Sequence, residues 1–125
     1  MIFALDAMGG DFAPKSVVSG GLDAIKEASS PIKVIFLGDE KSILAELNGY
    51  SSDSVQIIHT DQIISIKDKS STVIKKKPNS SIVKGIQLLK DNKVDAFISA
   101  GHTGAIMSAS LLLLGRIKGI KRPAL

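Results

Sequence analysis

The stretch Ser99–Ala105, with the sequence SAGHTGA, lies between two segments of different character. Val94–Ile98 (VDAFI) precedes it and has the apolar pattern of a buried β-strand. Ala105–Leu114 (AIMSASLLLL) follows it and is predicted to form an apolar helix. A strand, a short turn of small and hydroxyl residues, and a helix form the unit from which α/β proteins are built. The turn therefore predicts an α/β fold.

The same turn has the features of an anion site. The first N–H groups of a helix have no intrahelical acceptor, and the helix dipole adds partial positive charge at that end. Gly101 and Gly104 leave room for a phosphate group and permit positive φ angles. Ser99 and Thr103 offer hydroxyl donors, and Thr103 is a favourable N-cap residue. A plain turn, with glycines needed only for packing, is the alternative.

Strand-like and helix-like segments also alternate along the rest of the chain. Three further strands are expected, at Ile2–Leu5, Ile32–Leu37 and Val55–His59. Further helices are expected from Pro14, over Asp39–Asn48, over Ser70–Lys77, and from Ser80 or Ser81 to Asn92. In the Asp39–Asn48 helix, Ile43, Leu44 and Leu47 are expected to face inward. Thr60–Lys69 is predicted to be a loop. This alternation predicts one α/β domain over residues 1–125, with a mostly parallel sheet between two helical layers.

Composition excludes several classes of protein. The chain has 125 residues, of which 44% are hydrophobic, and this is sufficient for the core of one domain. It has no cysteine, which rules out disulfides and thiolate metal sites and suits a reducing cytoplasm. The start, MIFALDAMGGD, has no basic region before its apolar residues, so no signal peptide is predicted. The longest apolar stretch, around Leu111–Leu114, is far below the ~20 residues of a membrane-spanning helix.

Charge is distributed unevenly between the two halves of the chain. Residues 1–66 carry four lysines and nine acidic residues, whereas residues 67–125 carry twelve Lys or Arg and three Asp. The second half should therefore attract phosphate, an acidic protein or anionic lipid. Nucleic acid is not expected as a partner, because the basic runs themselves contain no interleaved aromatic residues to stack on bases. The alternative is that another subunit or further sequence balances the charge.

A second glycine loop, DAMGGD at Asp6–Asp11, follows the first predicted strand. Open α/β sheets bind ligands at the carboxyl ends of their strands, where this loop and SAGHTGA both lie. If the first and fourth strands are neighbours, the two loops face one cleft. Asp6 and Asp11 could then orient a donor or hold a cation beside Gly9 and Gly10. Alternatively, Asp6 caps its own loop and Asp11 caps the next helix.

The chain has two histidines, and they differ in their surroundings. His102 lies inside the glycine turn, where it could hydrogen-bond phosphate or transfer a proton, or merely occupy a turn position. His59 ends a predicted strand and is expected to be structural. No zinc-ligand spacing connects the two, so no metal site is expected. The P-loop and GxGxxG motifs are also missing, which argues against those nucleotide sites.

A basic run, Lys75–Lys77, precedes the predicted helix start at Ser80 and Ser81. One of these lysines could reach an anion that the helix start also holds, although a solvated face is the alternative. The candidate catalytic residues are thus His102 and Asp6. The candidate residues for binding phosphate or substrate are Ser99, Gly101, His102, Thr103, Gly104, Gly9, Gly10, Asp11, Lys77, Ser80 and Ser81.

Together these motifs resemble one family. The segments that carry the resemblance, in chain order, are DAMGGD at 6–11 with Pro14, GDE at 38–40, KKKPNSS at 75–81, SAGHTGA at 99–105 and GRIKGIKRPAL at 115–125. They are similar to the N-terminal part of the bacterial phosphate acyltransferases of phospholipid synthesis, the PlsX family. The family's turn usually has Asn where His102 stands, and Asp where Asn79 stands.

The resemblance implies a reaction in which acyl-acyl carrier protein and inorganic phosphate give acyl phosphate and free carrier. It implies a fold like those of isocitrate and isopropylmalate dehydrogenases and of phosphotransacetylases. It also implies a cytoplasmic homodimer, peripheral at the inner membrane face, that uses neither metal nor organic cofactor. Because family members are much longer, the chain is expected to be the N-terminal part of such an enzyme. A non-catalytic phosphate- or nucleotide-binding module is the alternative.

Overall fold

The computed structural model describes residues 1–121, except for the side chain of Ser71. Strands and helices alternate in this part of the chain as β1 (Ile2–Asp6), α1 (Lys15–Glu27), β2 (Lys33–Gly38), α2 (Glu40–Leu47), β3 (Val55–His59), α3 (Ser70–Lys76), α4 (Ser81–Lys90), β4 (Ala96–Ile98) and α5 (Thr103–Leu113). The predicted α/β class is confirmed.

The four strands form one parallel sheet in the order β3-β2-β1-β4. β1 is therefore central and adjacent to β4, with Leu5 opposite Ile98 in the register. This adjacency places the loops after β1 and β4 side by side at the carboxyl edge of the sheet.

The two faces of the sheet have different helical partners. Side chains alternate between the faces along a strand, so Val34 and Phe36 of β2 lie on one face and Ile35 and Leu37 on the other. Val34 and Phe36 pack with residues of α1 and α2, whereas Ile35 and Leu37 pack with Leu89 of α4. The result is the expected arrangement of a sheet between two helical layers.

Capping residues account for the helix boundaries that the sequence predicted well. Asp39 is the N-cap of α2 and accepts from Ser42 N at 2.9 Å. Ser80 is the N-cap of α4, where its hydroxyl accepts from Val83 N at 3.4 Å. Asn48 ends α2 with φ 47°, in the left-handed region that Asn tolerates.

Three expectations were wrong in detail. Leu44 is 52% exposed, because Ile43 and Leu47, four residues apart, form the buried stripe of α2. β4 begins at Ala96 rather than Val94, since the Asp95 carboxylate accepts from Ile2 N at 2.6 Å before regular pairing starts. Helix α5 begins at Thr103, so its N-cap is His102 and not Thr103.

None of the described helices combines the length and the apolar character needed to cross a membrane.

Candidate active site

The loops after β1 and β4 come into direct backbone contact at two glycines. A Cβ added to Gly9 would lie 2.8 Å from the backbone nitrogen of Gly101 and 2.5 Å from Asp6 Oδ2. Real side chains do not tolerate such distances, so only glycine permits this approach. Gly10, with φ +98°, turns the first loop beside Ala100. At the carboxyl edge, where the sequence predicted a shared cleft, the two loops therefore pack directly against each other.

Asp6 connects the two loops through both carboxylate oxygens. Its side chain is 2% exposed, Oδ2 accepts from the Ser99 hydroxyl at 2.6 Å, and Oδ1 accepts from Met8 N at 3.1 Å. This is the loop-capping arrangement that the sequence left open as an alternative. The buried carboxylate holds the geometry of the cleft.

Ser99 is oriented by that carboxylate. Its hydroxyl proton is donated to Asp6, and its oxygen accepts from Gly101 N at 3.0 Å. The expected Ser99 donor is thus directed at Asp6 in this structure and not at a ligand. Its contribution is to fix the turn that leads into α5.

His102 has hydrogen bonds at both ring nitrogens. Nδ1 accepts from Ala105 N at 3.3 Å and caps α5, and Nε2 lies 3.1 Å from the Asp68 carbonyl oxygen. Because a carbonyl can only accept and a backbone N–H can only donate, this pair of bonds places a proton on Nε2 and leaves Nδ1 as the acceptor. A proton-transfer role for His102 would require one of these bonds to open.

Asp68, whose carbonyl oxygen contacts His102, also holds the loop of residues 60–69 through its carboxylate. Its carboxylate accepts from Lys77 Nζ at 2.6 Å and from Ser65 N at 2.7 Å. Lys77 Nζ also donates to the Ile63 carbonyl at 2.7 Å. Lys77 therefore holds this loop, whereas Lys75 and Lys76 are exposed, as the solvated-face alternative expected.

Asp68 has a lowered pKa, chiefly because the Lys77 ammonium donates a hydrogen bond to its carboxylate. A carboxyl group whose pKa falls on folding adds stability above its unfolded pKa. That contribution disappears as the pH falls through the lowered pKa of the folded state. The Asp68–Lys77 ion pair is therefore intact at neutral pH and lost in strong acid, whereas the bond from Lys77 to the Ile63 carbonyl does not depend on pH in this way.

The other predicted binding residues lie in three environments. Asp11 is exposed, and α1 begins after Pro14 without a side-chain capping hydrogen bond, so the alternative that Asp11 caps this helix was wrong. Thr103 is exposed at the first position of α5. Ser80 and Ser81 are buried at 0% and 3% exposure, so they stabilise the start of α4 and lie away from solvent.

Gly104 packs closely against the start of α3. A Cβ at this position would lie 3.2 Å from Ser70 Cβ and 3.1 Å from His102 Cε1. Sequence reasoning missed this contact and the Asp68–His102 bond, because they join residues about 34 positions apart with no shared motif. Over residues 1–121 the structure has no group of three His, Cys, Asp or Glu side chains that could hold a metal ion.

The chain is similar to known proteins over its whole length. A model of the family described as "Fatty acid synthesis protein" matches residues 1–125. The chain belongs to this fatty acid synthesis family. Three similar curated proteins, each named phosphate acyltransferase, come from Dictyoglomus turgidum, Clostridium tetani and Acetivibrio thermocellus, with 49%, 46% and 44% identity. All of this chain is covered in each case, but only 37–38% of the relative.

The basic character of this family member is displayed on its surface. In the part of the chain that the structure describes, the exposed cations of the second half are Lys67, Lys69, Lys75, Lys76, Lys84, Lys90, Lys93, Arg116, Lys118 and Lys121. The predicted basic region continues to Arg122, which lies outside the described residues, as do the last residues of the GRIKGIKRPAL motif.

Replacement of His102 by Ala and by Asn should separate its two hydrogen bonds. Ala removes both the cap and the bond to Asp68, so the free energy of unfolding should fall by about 1–2 kcal/mol. Asn is itself a strong N-cap residue and should recover most of the cap contribution, although it is too short to replace the bond to Asp68. Urea denaturation of the three proteins measures the difference. Equal losses for Ala and Asn would contradict the capping role.

Proposed function

We propose that this chain is the N-terminal portion of an enzyme that transfers a fatty acyl group from acyl-acyl carrier protein to inorganic phosphate. The names of its relatives and its membership of the fatty acid synthesis family support the reaction class. The observation that carries the proposal is the contact of two glycine loops at Gly9 and Gly101, beside the first turn of α5. It lies beside a cavity lined by Ser99, Gly101 and Thr103, at the edge where parallel α/β sheets bind ligands.

In the proposed reaction a phosphate oxygen attacks the thioester carbonyl. A C–O bond forms, the C–S bond breaks, and the carrier leaves as a thiolate that takes up a proton. We assign the phosphate to the first turn of α5, where free N–H groups and the dipole favour an anion. The exposed hydroxyl of Thr103 lies at this turn and can donate to the phosphate. Holding the two reactants in place supplies much of such a rate enhancement.

The remaining candidates take supporting roles in this proposal. Asp6 and Ser99 fix the turn, Gly9 and Gly101 permit the loop contact, and His102 caps the helix that receives the phosphate. Gly10 and Asp11 belong to the neighbouring loop after β1, where Gly10 lies beside Ala100. Gly104 lets α5 approach α3. For Lys77, Ser80 and Ser81, direct contact with substrate would require their present bonds or burial to change.

We also propose an acidic carrier protein as the partner of the basic surface. Arg116 and the lysines named above are exposed and can attract an acidic surface over a distance of about 10 Å at 0.1 M salt. A homodimer in the cytoplasm, peripheral at the inner membrane face, fits the same proposal. Neither a metal nor an organic cofactor is needed in the proposed reaction.

The experiment that tests this function measures thiol release from acyl-acyl carrier protein by the full-length protein, with and without phosphate. Thiol release should depend on phosphate and produce acyl phosphate. Thr103→Val should raise the phosphate concentration for half-maximal rate about tenfold or more, because a hydrogen bond to a charged group contributes about 1.5–3 kcal/mol. Thr103→Ser keeps the hydroxyl and serves as the matched control, with a change of less than about threefold expected.

The alternative function, a phosphate- or nucleotide-binding module, predicts a different result. Phosphate or a mononucleotide would then bind in isothermal titration, but no thiol would be released. Thiol release that does not depend on phosphate would also contradict the proposed transfer.

A further inference from the structure

A second feature of the carboxyl edge is a half-open cavity of about 400 Å³ alongside α1. This volume lies within the ~300–1,000 Å³ typical of ligand pockets. The cavity lining is almost entirely apolar. Its main walls are Phe3 and Leu5 of β1, Ile98 of β4, and Val17, Gly20 and Ala24 of α1.

The cavity exists because α1 presents small residues and does not reach across β4. Phe3, Leu5 and Ile98 lie on the face of the sheet that α1 covers, since Leu5 is opposite both Phe36 and Ile98 in the register. Ile98 remains 53% exposed there. Gly20 and Gly21 together leave a concave stretch of helix surface beside the strand.

The two ends of the cavity differ in chemistry. At the carboxyl edge it is lined by Asp6, Ser99 and Ala100, which belong to the candidate active site. At the amino edge it is lined by apolar side chains, including Ile32. Along α1 it extends from Ser16 to Ala24, about 12 Å at 1.5 Å per residue. A long apolar ligand with one polar end matches this arrangement.

We infer that this cavity holds the hydrocarbon chain of the acyl group, with the acyl carbonyl at the Asp6–Ser99 end. The inference rests on the proposed function, because the cavity shares Asp6 and Ser99 with the candidate active site, just before the turn to which the phosphate was assigned. The polar end would bring the carbonyl to the turn before α5. The apolar end would enclose the distal methylenes, each of which contributes about fourfold in affinity when it is buried.

Gly20 is the residue that should limit the chain length. A Cβ added to Gly20 meets no atom within 4 Å, so a larger side chain there projects into open space at the cavity wall. Gly21 is different, because its Cβ would lie 2.7 Å from the Phe36 ring. A leucine at position 20 can therefore occupy the cavity without disturbing the core. Ala24 also lines the cavity and provides a second such position.

The test uses binding of saturated fatty acids of 8, 12 and 16 carbons to the full-length protein, measured by isothermal titration. These probes cannot transfer an acyl group, so binding is measured apart from the reaction. Affinity should rise with chain length until the cavity is full. Gly20→Leu and Ala24→Leu should each weaken binding of the longer chains at least tenfold. Ser19→Leu is the matched control, because Ser19 is exposed on α1 outside the cavity, and it should bind like the parent.

The outcomes separate this inference from the proposed function. If both cavity variants bind all three fatty acids like Ser19→Leu, the inference is wrong, and another part of the protein covers this face. If the cavity variants lose long-chain binding but the unsubstituted protein shows no phosphate-dependent thiol release, the inferred binding site for the hydrocarbon chain is supported and the proposed transfer reaction is wrong. Thermal melting of all three variants checks that each is folded, and an unfolded Gly20→Leu leaves Ala24→Leu to decide.

Discussion

Gly9→Val should destabilise this protein more than any other single change at the cleft. Even the first carbon of the new side chain would lie 2.5 Å from Asp6 Oδ2 and 2.8 Å from the Gly101 backbone nitrogen. Neither neighbour can move cheaply, because Asp6 is buried and the nitrogen belongs to the main chain. We expect the free energy of unfolding to fall by about 2–3 kcal/mol, the upper range for overpacking, and the cleft to lose its shape.

Urea denaturation of Gly9→Val and the parent tests this expectation, with Gly20→Ala as the control. Gly20 lies inside α1 and has no atom within 4 Å of an added Cβ. Alanine there should leave stability unchanged or raise it by about 0.5–1 kcal/mol, since glycine is a poor helix former. If Gly9→Val is as stable as Gly20→Ala, the two loops do not pack in the way described.

Asp6→Ala should have the second largest effect, on both stability and activity. The substitution leaves the Ser99 hydroxyl and Met8 N–H without their acceptor. An unsatisfied buried donor costs about 1–3 kcal/mol, and because both of these donors are only partly buried we expect a loss of about 1–2 kcal/mol. The turn before α5 would also lose the residue that orients it, and phosphate-dependent thiol release should fall at least a hundredfold.

Asp6→Asn and Asp53→Ala are the matched comparisons. Asn has the same shape and retains one acceptor oxygen, so its loss of stability should be about 1 kcal/mol. Asp53 is exposed in a loop, and its removal should change stability by less than about 0.5 kcal/mol. A stability for Asp6→Ala equal to that of Asp53→Ala would show that the buried carboxylate does not hold the loops together.

Local chemistry in the sequence was sufficient to predict the helices and strands and most of their boundaries. Asp39 and Ser80 begin helices because their side chains accept from backbone N–H groups only three residues later. The alternation of apolar strands with amphipathic helices predicted a parallel sheet, since parallel strands need crossover connections. The two glycine loops were also visible, as short motifs directly after predicted strands.

Only the tertiary structure decided which of these residues meet and what each is bonded to. The adjacency of β1 and β4 joins Asp6 to Ser99 across 93 positions, and the packing of α3 against α5 brings the Asp68 carbonyl to His102 across 34. Because of these bonds, Ser99 and His102, which the sequence suggested as ligands for a substrate, instead fix the turn before α5. Lys77, another candidate, is bonded to Asp68 in loop 60–69. The cavity beside α1 likewise depends on strand order and on the position of a helix above it. The local sequence pattern specifies a helix or a strand because the interactions that form it span only a few residues. A site between helices and strands depends on contacts between residues far apart in the chain, which sequence spacing does not encode.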